Sequence, residues 1–160
     1  MTQLLESRGF IQQPNIPKQQ AQRSFLEVFP SPAQVILFPC HTHNGHTHCR
    51  PMRCKHKGER TWAEIHSEWE IYRARLRSLE CREPALRFSP EVRKEMSIDI
   101  TDLTGAQYKP FDDLLDGILC AYLAYYFWYW GVEKSWVLGD IENGYVVLPR
   151  CPLKTCAFGV

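Results

Sequence analysis

The sequence predicts an α/β fold built from a short mixed sheet, two long helices and a C-terminal hairpin. Three observations carry that expectation. Trp62, Ile65, Trp69, Tyr72, Leu76 and Leu79 recur at three-four spacing, the stripe of an amphipathic helix. A second helical stretch, from Phe111 or Asp112 to about Trp130, is apolar nearly all round and should lie centrally. Two β-rich runs, SWVLGD and GYVVLP, meet at Glu142-Asn143-Gly144, a hairpin signal.

The other elements follow in chain order. Residues 1–9 read as the end of a helix with Leu4 and Leu5 as its apolar content, and PNIPKQQ is a loop punctuated by proline. RSFLEVFP reads as a strand, carried by Phe25, Val28 and Phe29 and stopped by Pro30 and Pro32. AQVILF suits a short helix or a strand extension equally. Residues 40–56 form a loop by composition. Thr61 and Glu64 make a capping box that opens the first long helix, whose Glu68, Arg73, Arg75 and Arg77 lie away from the apolar stripe. Pro90 to Met96 suits a helical turn or two, and IDITDLTG is irregular or a short strand. Gly131 is placed to cap the second long helix. The domain is expected over residues 1–149, with 150–160 as a tail.

A chain of 160 residues is one ordinary domain or part of a larger one, and its 44% apolar content supports a core. The charge is unevenly distributed. Arg50 to Lys94 holds twelve Lys/Arg against seven Asp/Glu, whereas Glu95 to Tyr145 holds two against nine. A basic face and an acidic pocket would suit nucleic acid with metal ions; two solvated faces of opposite sign would leave the same pattern. MTQLLESRGF lacks the cationic start and apolar run of an export signal. The apolar run ending at Trp130 is too short to span a bilayer, so no membrane association is expected. Seven cysteines, an odd number, then suggest reduced thiols in a cytoplasmic protein.

The strongest chemical constellation is FDDLLDGILCAY. Asp112, Asp113 and Asp116 occupy the first turns of an apolar helix, and Asp113 and Asp116, three apart, share a face. First-turn acids also suit the helix dipole without any further role. An all-round apolar helix, however, should press at least one carboxylate against the interior, where a divalent cation is a usual counter-charge.

A second constellation is CHTHNGHTHC. Cys49 and Cys54 have knuckle-like spacing, and with His46 and His48 they are a candidate zinc set. No pair-and-pair signature orders the ligands, and a tolerated surface insertion would look the same. Arg50, Arg53, Lys55, Lys57 and Arg60 follow, and of these Arg53, Lys55, Lys57 and Arg60 are candidates for tracking a phosphate backbone. Aromatics are not interleaved among them, so base stacking is not suggested.

DDLLDGILCAYLAYYFWYWG followed by VLGDIENGYVVLP resembles the C-terminal signature of a family of predicted RNase H-like nucleases, domain of unknown function 429. QRSFLEVFPSPAQVILF and GERTWAEIHSEWEIYRARLRSL resemble earlier segments of that family. The order and spacing agree over roughly residues 1–149, leaving out the His/Cys stretch at about 40–56, which is then an insertion. The resemblance implies an RNase H-like fold and Mg²⁺- or Mn²⁺-dependent phosphodiester hydrolysis by two metal ions. It implies Asp116 and Asp113 as metal ligands, with Asp112 beside them and Glu27 as a further acidic candidate. Glu27 could equally pair with Arg23 or Lys55. The chain departs from the family at its start, where the strands bearing an Asp and an Ile-Asp-x-Pro type of motif are missing.

The expectations are therefore an incomplete nuclease-family domain, truncated and inactive alone, which needs its N-terminal half or a homo-oligomer. The alternatives are a non-catalytic remnant that binds nucleic acid or protein, and a zinc module formed by the His/Cys stretch.

Overall fold

The computed structural model describes residues 2–38, 41–43, 46–48, 60–101 and 103–150, with only the main chain given for residues 2, 41–43 and 46–48. Helices dominate, and the strands are short, so the class is mixed α/β. Helix α1 (Thr2–Ser7) leads into strand β1 (Ile11–Gln12), which pairs in parallel with β2 (Ser24–Phe25). The strand expected over RSFLEVFP is thus broken. After β2 the chain makes one parallel bridge, Val28 with Val147, and the Glu27 carbonyl accepts the Val147 N–H at 2.8 Å.

Pro30 and Pro32 do more than end that strand. Pro30 opens helix α2 (Pro30–Leu37), because a fixed φ and a missing N–H suit a first helical turn. AQVILF is therefore helical, and Ala33 and Leu37 turn inward. The stretch expected to be a loop by composition contains an antiparallel ladder, β3 (His41–His43) with β4 (His46–His48). The sequence joining them is Asn44-Gly45, the dipeptide most favourable to a two-residue hairpin, and the surrounding histidines masked that signal.

Helix α3 (Trp62–Ser78) begins with the expected capping box. The Thr61 N–H donates to Glu64 Oε2 at 2.8 Å, and the Glu64 N–H donates to Thr61 Oγ1 at 3.3 Å. Ile65, Trp69, Tyr72, Leu76 and Leu79 are buried, as the stripe requires. Glu68 and Arg73, expected to lie away from the stripe, are buried too. The chain beyond helix α4 (Pro90–Glu95) covers that side. Arg73 donates to the Ile98 carbonyl at 2.7 Å and to the Met96 carbonyl at 3.3 Å, and pairs with Glu70. The IDITDLTG segment forms no strand among the described residues.

Helix α5 (Tyr108–Trp130) starts several residues before the expected Phe111 or Asp112. Pro110 falls in its first turn, where a proline removes no intrahelical hydrogen bond. Gly131, at φ 57°, ends the helix, and its N–H donates to the Phe127 carbonyl. Phe111, Leu115, Leu119, Tyr122, Leu123 and Tyr126 pack against α3 and α2 in the main core. Strands β5 (Ser135–Asp140) and β6 (Gly144–Pro149) form the expected hairpin, with Val137 opposite Val147. Val147 and Tyr145 meet Phe127 in a smaller cluster near the end of α5. Among the described residues no helix is long and apolar enough to cross a membrane.

Candidate functional site

The acidic turns of α5 lie against α3, and the helical repeat decides which carboxylates face inward. Residues four apart on a helix differ by only about 40° around its axis, whereas neighbours differ by about 100°. Asp112 therefore follows the buried line of Leu115 and Leu119 and is 4% exposed. Asp116, one turn on, is half-buried and accepts a hydrogen bond from Tyr72 of α3 at 3.0 Å. Asp113 points to solvent, with its side chain 60% exposed and ion-paired to Lys109. The interior carboxylate that the apolar helix demanded is thus Asp112. Its close acidic companion is Asp116.

Aromatic rings pack about Trp69, whose indole lies near Asp112. Trp69 stands 5.1 Å from Phe111 and 5.3 Å from Tyr108, ring centre to ring centre. Trp62 meets Tyr108 edge-on at 5.7 Å, and His66, bonded to the Leu103 carbonyl at 3.0 Å, stacks beside Trp69. Burial pushes the Asp112 carboxyl above the usual carboxylate range, and the neighbouring Asp116 pushes it the same way. The Trp69 indole and Lys109 pull in the opposite direction. The indole N–H lies near the carboxyl without reaching hydrogen-bond geometry, so Trp69 Nε1 is a buried donor with no partner among the described residues. Asp116 also acts one turn further along, where burial first and then its charge raise the Cys120 thiol. Such a pair favours holding a proton or sharing a cation.

Trp69 and Tyr72 are members of the site that the sequence shows only as core. Their three-four spacing identified the buried face of α3, but nothing local says that a carboxylate would meet it.

The remaining candidates are not brought to this place. Glu27 is exposed, and its neighbours Leu26 and Val28 pack on the cluster of Phe127, Tyr145 and Val147. Asp116 and Phe127 are eleven residues apart on α5, roughly 16 Å along the helix axis. Arg60 sits 3.8 Å from Glu68, its side chain 23% exposed. Arg53, Lys55, Lys57, Cys49 and Cys54 lie outside the described residues, and for His46 and His48 only the main chain is described. Among the described residues no group of three or more His, Cys, Asp or Glu is placed to hold a metal ion. Comparison with family models, with curated proteins and with solved structures finds no match.

Proposed function

We propose that the chain is an RNase H-like nuclease-family domain that uses Asp112 and Asp116 to hold one Mg²⁺ or Mn²⁺ for phosphodiester hydrolysis. The observation that carries this reading is the pairing of a buried carboxyl with a second one a single turn away. Burial and like charge both oppose ionisation of Asp112. A divalent cation would relieve both at once. Two carboxylates fit one such ion, which commonly takes one or two of them and keeps several waters. They do not complete a two-metal site, and among the described residues no third His, Cys, Asp or Glu groups with them. The second ion's ligands would have to come from residues beyond the described ones or from a partner chain.

When bound, the ion would supply an activated water and a counter-charge for the leaving oxygen. The chain's own residues do the positioning. Tyr72 fixes one oxygen of Asp116 by its hydrogen bond. Burial of Asp112 excludes water there and so strengthens any charge interaction.

The test is cleavage of single-stranded, duplex and junction nucleic acids with Mn²⁺ by the untagged wild type, Asp112→Asn and Asp116→Asn. Cleavage lost in both variants supports the reading. Equal cleavage by wild type and variants would sink it. A second reading, a non-catalytic binding remnant, draws on an apolar band at the hairpin. Trp136, Leu138 and Ile141 are 42%, 50% and 54% exposed there. A wild type that shows no cleavage yet forms a stable complex would favour it.

A further inference from the structure

We propose that the β3–β4 ribbon is a transition-metal site formed by four histidines, separate from the acidic site on α5. The ladder pairs His41 with His48, Thr42 with Thr47 and His43 with His46. In an antiparallel ladder, paired residues share a face, and a strand returns to that face every second residue. The register therefore puts all four histidine positions on one face of the ribbon and both threonines on the other. A one-residue slip would pair histidine with threonine throughout and scatter the four.

The spacing suits a single ion. Opposed Cβ atoms in such a ladder are about 5 Å apart, and the next rung on the same face lies roughly 7 Å along. The centre of that rectangle is then roughly 4 Å from each corner. Four positions so spaced on one face are close enough to share one ion.

Chemistry narrows the ion. Imidazole nitrogen suits Zn²⁺, Ni²⁺ and Cu²⁺ and does not suit Mg²⁺ or Ca²⁺. Zn²⁺ accepts four such ligands in a closed tetrahedral site. The ladder orders these four ligands without Cys49 or Cys54, so the set differs from the cysteine-containing one that composition alone offers. A two-stranded ribbon is marginal in water by itself, and a metal that bridges both strands stabilises it. The Thr42–Thr47 rung adds a β-branched cross-strand pair with the same preference for ribbon.

The experiment uses the full-length, untagged chain titrated with Zn²⁺ against a chromophoric chelator, and with Co²⁺ as a spectroscopic stand-in. One ion per chain is expected, with a tetrahedral Co²⁺ spectrum that lacks a thiolate-to-cobalt band. Cys49→Ser with Cys54→Ser should leave affinity unchanged. The double exchange Thr42→His with His43→Thr keeps four histidines in the tract but moves one to the other face. It should weaken Zn²⁺ on the order of tenfold or more. His46→Ala should do the same while leaving the metal-free thermal transition where it was. Unchanged affinity in the exchange variant would show that ligand density alone binds the metal and would overturn the proposal. So would a thiolate band that disappears with the cysteines. Nuclease activity is not a readout, so the outcome is independent of the acidic site.

Discussion

The two ends of α5 use polar atoms in opposite ways. In its first turns a hydrogen bond crosses the contact with α3, from Tyr72 to Asp116, while the Trp69 indole N–H beside Asp112 has no partner among the described residues. The last turns differ. The Tyr122 hydroxyl is buried with no partner among the described residues, and burial drives its pKa far upward. The rim aromatics there turn outward and tie down loops. Trp128 Nε1 donates to the Gln20 carbonyl at 2.9 Å, Trp130 Nε1 to the Glu83 carbonyl at 3.1 Å, and the Tyr129 hydroxyl to Glu83 at 2.9 Å. One end concentrates charge in a dry setting, and the other anchors chain. Only the first has the makings of chemistry, since there burial acts on a carboxyl and raises its pKa.

The largest expected effect empties the α3–α5 contact at the acidic end of α5. Trp69→Ala should cost about 3–5 kcal/mol, the range for emptying a large aromatic site in a core. Urea unfolding monitored by circular dichroism reads it directly. A loss below about 1 kcal/mol would mean that α3 and α5 are not the central pair.

A matched pair of tyrosine variants tests the contrast itself. Tyr72→Phe removes a made hydrogen bond and should destabilise by about 0.5–1.5 kcal/mol. Tyr122→Phe removes a buried hydroxyl that has no partner among the described residues, so it should be neutral or stabilising. Losses of equal size in both variants would erase the distinction between the two ends.

The finest test is the pH dependence of stability. The folded-state pKa of Asp112 lies above its ordinary value. Between those two values the folded chain holds a proton that the unfolded chain has released. Stability from this group is therefore greatest in acid and falls as pH rises through that window. Asp112→Asn cannot titrate, so its advantage over the wild type should open between acid and neutral pH. Thermal melts of the two chains across that pH range read the gap. Parallel wild-type and Asp112→Asn curves at every pH would place Asp112 in a wetter setting than its 4% exposure indicates.

Much of the fold was legible locally. The Thr61–Glu64 box, the α3 stripe, the Gly131 stop and the β5–β6 hairpin each rest on residues within a few positions of one another, where propensity and capping act. The failures share a different cause. Arg73 was expected to lie away from the apolar stripe, yet a segment more than twenty residues later closes over it and offers carbonyls. Pro30 was expected to stop a strand, and the same geometry instead starts a helix. At residues 41–48 composition obscured a two-residue turn signal.

For the candidate site the division is sharper. The sequence by itself determined that three aspartates enter an apolar helix together and that one of them must be buried, because an all-round apolar surface leaves no other place. It determined equally that four histidines alternate with threonines about Asn44-Gly45. Which aspartate turns inward was decided only by tertiary structure, because the answer depends on where Trp69 and Tyr72 of α3 come to lie. Strand register likewise sets which histidines share a face. Both are relations between chain segments, and a pattern within one segment carries no information about the partner it will meet.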